Sequence, residues 1–168
     1  MIWIIVIGAG LLVFGAIYAL KPSPRETRLA ALRLDAIKLK LQVKQFTYKP
    51  DAAKTGIRDD IMATSYTLMD RKPVKGGELL WSVVAQAGWD TDELPEGFAW
   101  HSGESVKQPQ QARARAEVIR AIQSELQDDL LVVEVYSNRV MIMVAEQPSA
   151  TAAMYLAALE RLLDSRSL

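Results

Sequence analysis

The sequence predicts an α+β fold: one N-terminal transmembrane helix, then an antiparallel sheet of about five strands, two hairpins plus one, covered by two helices. Three observations carry this. The first twenty residues hold no charged side chain, and nineteen residues at about 1.5 Å each reach roughly 28 Å, close to the hydrocarbon thickness of a bilayer. Beyond them, several short segments alternate apolar and polar residues or run β-branched between turn signals, as strands do. Two later segments repeat apolar residues every three or four positions, the helical period.

The elements follow in order. Inside the span, Gly8, Gly15 and Ala19 share one helical face, and small residues on a face let another membrane helix approach closely. Trp3 and Tyr18 sit near the two ends, where amphipathic rings prefer the interface. Lys21-Pro22-Ser23-Pro24 interrupts the helix as a stiff hinge, since proline has no N–H to donate and restricts its predecessor. A basic juxtamembrane helix is expected over 25–36, with Leu29, Leu32 and Ala36 on one side; it lies on the membrane or packs under the domain. Ile37, Leu39, Leu41 and Val43 alternate with Lys38, Lys40, Gln42 and Lys44, which predicts a first strand over 39–48. After a polar connection at 49–56, strands are expected over 61–69 and 79–87, paired as a hairpin across the turn-rich Lys72-Pro73-Val74-Lys75-Gly76-Gly77. The irregular stretch 88–111 is too long for a bare loop in a compact domain, so its aromatics should fold back on the sheet. A helix follows over 109–126 with Ala112, Ala116, Ile119, Ile122 and Leu126 inward. Strands 130–136 and 140–146 form a hairpin through Ser137-Asn138-Arg139. A last helix over 149–164 buries Ala152, Leu156, Leu159 and Leu163. The organisation is thus an anchor at 1–20, a hinge and basic helix at 21–36, and one α+β domain at 37–168.

Charge fixes the expected orientation. Twenty basic and twenty acidic residues cancel overall, but residues 21–49 carry eight basic against two acidic, a local net of +6, and the remainder carries −6. A basic block directly after an uncharged span places the following domain on the cytoplasmic side. Lys21, Arg25, Arg28 and Arg33 are the expected contacts with anionic headgroups. A neutral chain argues against nucleic acid as a partner. A cleaved signal peptide would need a charged n-region, a shorter apolar run and a small-residue cleavage site, and none is written before Lys21. There is no cysteine, which removes disulfides, thiolate metal sites and thiol catalysis.

Chemistry has few carriers. His101 is the only histidine, so no two-histidine metal site exists, and as a general base it would need an orienting partner such as Glu104 or Glu96. Asp90, Asp92, Glu93 and Glu96 lack the spacing of a calcium loop, and Gly76-Gly77 is not followed by the lysine and hydroxyl of a phosphate loop. No serine lies in a nucleophile elbow. The pairs Asp59-Asp60 and Asp128-Asp129 read as element ends. Trp81, Trp89, Phe98 and Trp100 remain as a group that serves either as core or as a protein-binding surface, because large aromatics dominate both.

The uncharged span followed by Pro-Ser-Pro-Arg-Glu (22–26), Leu-Ala-Ala-Leu-Arg (29–33) and an alternating strand resembles a group of small bacterial single-pass inner-membrane proteins. Some of them are labelled YajC-like, after the accessory subunit of the Sec translocase. The resemblance covers residues 1 to about 45, with an echo in Leu94-Pro95-Glu96-Gly97, and implies a bacterial inner-membrane location. The Gly-Asp, Thr and Gly-rich strand motif of true YajC proteins has no counterpart, so no functional residue carries over. The expectation is an anchored interaction or assembly module without cofactor or catalytic site. Its expected partners are membrane lipid and other membrane proteins, with a homo-oligomer left open. The alternatives are an enzyme built on His101 and the acidic 88–111 region, or a periplasmic adapter if the topology is reversed.

Overall fold

The computed structural model describes residue 3 and residues 21–70, 77–88, 93–102 and 109–167. The expected span at 1–20, with Gly8, Gly15 and Ala19, falls outside the described residues apart from Trp3, as does Trp89. Among the described residues no helix is long and apolar enough to cross a membrane. The chain divides into two compact units, one through Ala31 and one from Leu32 to Leu168.

Helix α1 is Pro24–Lys38. Its start is written in Ser23-Pro24-Arg25-Glu26. The Ser23 hydroxyl accepts from the Glu26 N–H at 3.2 Å and the Glu26 carboxylate accepts from the Ser23 N–H at 2.7 Å. This is a capping box with proline at the first helical position, where its missing N–H costs nothing. Pro24 therefore opens the helix.

The second unit holds six antiparallel strands, β1 (Gln42–Tyr48), β2 (Ile61–Met69), β3 (Leu79–Ala85), β4 (Phe98–Ser102), β5 (Leu130–Tyr136) and β6 (Arg139–Val144). They lie in the order β1-β2-β6-β5-β3-β4. Short helix α2 (Ala52–Thr55) joins β1 to β2, α3 (Pro109–Leu126) joins β4 to β5, and α4 (Ala152–Asp164) ends the domain. The α+β class with an antiparallel sheet stands, with six strands where five were expected and with four helices among the described residues.

Three expectations need correction. β2 and β3 do not form a hairpin: β2 pairs with β1 and β6, and β3 with β4 and β5, so the β5–β6 hairpin is inserted between them. Sequence neighbours pair often but not always, and here a tight hairpin made later in the chain takes the central place. The sixth strand, β4, comes from the aromatic stretch 88–111, where the sequence predicts no strand. Finally, the strand expected over 39–48 begins only at Gln42, because the helix expected to end at 36 continues through Lys38 and the chain reverses at Lys40, whose φ is 65°.

One face of the sheet carries the main core. Tyr66, Val83, Val133, Val135 and Ile142 meet Ala116, Ile119 and Ile122 of α3, and Tyr155, Ala158, Leu159 and Leu162 of α4. All five inward residues expected on α3 are buried, whereas the buried stripe of α4 is turned so that Tyr155, Ala158 and Leu162 replace Leu156 and Leu163. Leu32 and Ala36 of α1 join the same core, so the compact unit begins at Leu32, ahead of the expected boundary at 37. The opposite face has a smaller cluster of Tyr48, Ala63, Val84, Val132, Met141 and Met143.

Candidate functional site

Two polar clusters stand out, one on each face of the sheet. On the face away from α3 and α4, the alternation of side chains turns Ser82 of β3 and Glu134 of β5 to one side while Trp81, Val83 and Val133 enter the main core. The β3–β4 register slips between Ser82 and Val83, so that Ser82 faces Ser102 and Val83 faces Trp100. The slip leaves His101 as an extra residue, the bulge geometry that re-aims a side chain.

His101 meets an unexpected partner. β1 and β4 are the outermost strands of the sheet, yet the Tyr48 hydroxyl at the end of β1 lies 2.6 Å from His101 Nδ1, with the two rings edge to face at 5.2 Å. The sheet therefore curls enough to bring its two edges within hydrogen-bonding range at this end. A strap holds them there: Asp51 caps α2, Gly56 ends it at φ 73°, and the Gly88 N–H donates to the Thr55 carbonyl at 2.8 Å. A Cβ at Gly88 would sit 3.3 Å from the Gly56 backbone, so any side chain here would have to push that backbone back by a few tenths of an ångström.

Ser82, fully buried, places its hydroxyl 3.4 Å from the same Nδ1. Burial raises the Tyr48 phenol to about 12, against the bond with Ser82 that lowers it. Burial first, and then nearby Lys54, pull His101 below its ordinary value. The tautomer of the neutral imidazole sets the direction of this bond: with the proton on Nε2, Nδ1 accepts from the Tyr48 hydroxyl. In that tautomer His101 is a hydrogen-bond donor outward and not a base toward Ser82. Close by in the register, Glu134 accepts from the Tyr136 hydroxyl at 2.7 Å, and the Arg139 guanidinium lies 4.0 Å over the Tyr136 ring. Burial pushes the Glu134 carboxyl up, and Tyr136 and Arg139 offset part of that.

The lowered value of His101 has a consequence for stability. The unfolded chain binds a proton near pH 6.5 and the folded chain does so only at lower pH, so stability rises with pH across that interval and falls on acidification through it. Urea unfolding of the wild type between pH 5 and 7.5 should show this slope, and His101→Phe should flatten it. An unchanged slope in the variant would remove His101 as its source.

The second cluster lies between the sheet and helices α1 and α4. Glu146, just past β6, collects three donors: Arg33 Nε to Oε1 at 2.8 Å with a second guanidinium bond to Oε2, the Tyr66 hydroxyl at 2.7 Å and the Thr64 hydroxyl at 2.9 Å. Burial would raise its carboxyl, but the bonds from Arg33, Tyr66 and Thr64 prevail and hold it below the usual range. Glu146 sits at φ 59°, a conformation unfavourable for a residue with a Cβ. The adjoining Asp129 accepts from the Gln147 N–H at 2.9 Å and from the Tyr155 hydroxyl, and the Tyr66 and Tyr155 rings touch at 4.6 Å. One continuous network thus joins α1, β2, α4 and both ends of the β5–β6 hairpin. Arg33, expected on headgroups, is committed here, while Lys21 and Arg25 are exposed and Arg28 is half-buried.

The aromatic group divides. Trp81 and Phe98 are buried at 1% and 5% exposure and are core, which removes them from any binding surface, because an extended β3 and β4 face them inward against α3. Trp100 is half-buried and meets Trp81 edge to face at 5.9 Å. Arg115 lies 5.9 Å from the Trp81 ring. Of the acids expected near His101, Glu96 instead lines a polar pocket of about 200 Å³ with Gln86, Gln123, Gln127 and Asp128, and Glu104 lies outside the described residues. Among the described residues no three acids or histidines gather as a metal site would require.

On the outer side of the helical layer, α3 and α4 leave a groove of about 590 Å³ lined by Ala114, Glu117, Val118, Ala121, Arg161, Asp164 and Ser165. No family model, curated protein or solved structure matches the chain.

Proposed function

We propose that the chain is a membrane-tethered adapter. Residues 1–20 anchor it in the bacterial inner membrane, the basic segment after them meets anionic headgroups, and the α+β domain holds a partner subunit of a membrane complex on the cytoplasmic side. The observation that carries the reading is the α3–α4 groove. Its floor is Ala114, Val118 and Ala121, at the i, i+4, i+7 spacing of one helical stripe, and its rim carries Glu117 and Asp164. Arg161 is drawn to Glu125 at 2.6 Å, which leaves the rim acidic. Small residues permit close backbone approach, so the occupant that fits is a partner helix with an apolar stripe flanked by Lys or Arg.

The tether supports this reading. Only residues 21–31 separate the apolar run from Leu32, the first core residue, a short connection most of which is the start of α1. A partner within reach of so short a tether is at the membrane surface.

A photo-activatable amino acid at Val118 should crosslink to one membrane protein in cells. Ala121→Arg should abolish the adduct, and His101→Ala should leave it. An adduct indifferent to Ala121→Arg would overturn the groove as the docking site, and loss of cellular function in His101→Ala alone would favour an enzyme. Reporter fusions at Leu168 should be active only as a cytoplasmic reporter; periplasmic activity would reverse the topology.

A further inference from the structure

Among the described residues, β1 forms one edge of the sheet and its backbone pairs with β2 alone; Tyr48 at its end is buried against His101, while Gln42, Lys44, Gln45, Phe46 and Thr47 are exposed, Phe46 at 46%. The other edge is guarded: β4 has five residues, and α2 and Tyr48 pack against it. A seven-residue edge with an exposed aromatic is a pairing template that proteins ordinarily shorten or cover.

We propose that β1 pairs antiparallel with β1 of a second copy of this chain, centred on Gln45, joining the two sheets into one. Three observations select this partner and register. First, the Lys44 carbonyl is turned toward β2, where it accepts from the Ser65 hydroxyl at 3.0 Å. Backbone groups alternate in direction along a strand, so Val43, Gln45 and Thr47 present their N–H and C=O to the open side. A two-fold through Gln45 then matches Gln45 with itself and Val43 with Thr47, three narrow pairs in which every outward group is bonded.

Second, this register overlaps all seven residues and sets Lys44 across from Phe46 of the other copy. A cation then meets an aromatic face. Centring on Lys44 instead would oppose two like charges. Third, and resting on the tethered reading above, two copies inserted the same way in one membrane are related by a two-fold along the membrane normal. A strand crossing such an axis meets its mate antiparallel. Confinement to one membrane also raises the effective concentration of the second copy.

The chain has no cysteine, so a single Gln45→Cys in the full-length protein reports on the pair. Facing Cα atoms in a narrow pair lie about 5.5 Å apart, within disulfide reach. Mild oxidation of membranes should convert the 18.7 kDa chain to a species of twice that mass, and Asp35→Cys, exposed on α1, should give none. Thr47→Pro in the Gln45→Cys background removes an outward N–H without touching the β2 ladder. It should cut crosslinking at least tenfold with an unchanged thermal melt, while Thr47→Ala retains the crosslink.

No dimer from folded Gln45→Cys, a dimer insensitive to Thr47→Pro, or a crosslink only to a different protein would each overturn the proposal. Recovery of the chain in the soluble fraction would sink the tether by itself, and the same crosslink on that soluble protein would still decide the pairing.

Discussion

Replacing Glu146 by alanine is expected to cost about 3 kcal/mol of folding stability, measured by urea unfolding at pH 7. The carboxylate has a side-chain exposure of 6%, and its removal takes an acceptor from the Tyr66 and Thr64 hydroxyls and from the Arg33 guanidinium, which keeps its bond to the Thr64 hydroxyl at 3.0 Å. Breaking a buried ion pair from one side costs about 3–5 kcal/mol; the lower figure applies because the Arg33 side chain, 36% exposed, keeps access to water. Arg33→Met should cost less than Glu146→Ala, since the hydroxyls of Tyr66 and Thr64 still bond the carboxylate. The sign with pH follows from a carboxyl held low in the fold. Its contribution is complete above the unfolded value near 4.3 and is lost as pH falls through the folded value. The wild type should therefore lose more stability than Glu146→Gln on acidification below about pH 4. Equal acid sensitivity in the two would show that Glu146 contributes nothing as an anion.

Trp81→Ala is expected to destabilise by about 3–5 kcal/mol, the range for a large aromatic removed from a packed core. The side chain fills the space between β3, Trp100 and α3, and the rigid sheet beneath it limits collapse of the cavity. Trp100→Ala should cost less, because its ring is only half-buried. Partner crosslinking at a temperature where Trp81→Ala remains folded should match the wild type. A variant of normal stability that has lost its partner would return Trp81 to a binding surface.

Elements with an unmistakable period were readable residue by residue. Ile61–Met69, Pro109–Leu126 and Leu130–Tyr136 fall where the pattern places them. The boundary at α1 and β1 was not, because Ile37, Leu39 and Leu41 satisfy an alternating pattern across the helix end and only the left-handed turn at Lys40 separates the two. β4 was readable in principle: Phe98 and Trp100 face the main core and Ala99 and His101 the other side of the sheet, a short alternation obscured by the acids before it. Strand order was not readable, since nothing local to β2 or β3 states that a hairpin sixty residues downstream of β2 divides them. The sites follow the same rule. Glu146 and Arg33 are ordinary surface residues by type, Arg33 counts as one more cation after the span, and Asp129 reads as the end of a helix. Their significance exists only once the fold brings them together, and the Tyr48–His101 contact likewise depends on a curl of the sheet that no spacing encodes.

The pairing of Arg33 with Glu146 spans 113 positions, which sets an order of events during synthesis. At about 5–20 residues per second the ribosome needs roughly 6–23 s to deliver the acid after the base has emerged. Arg33 therefore emerges long before its acceptor, and closure of this network is a late step of folding.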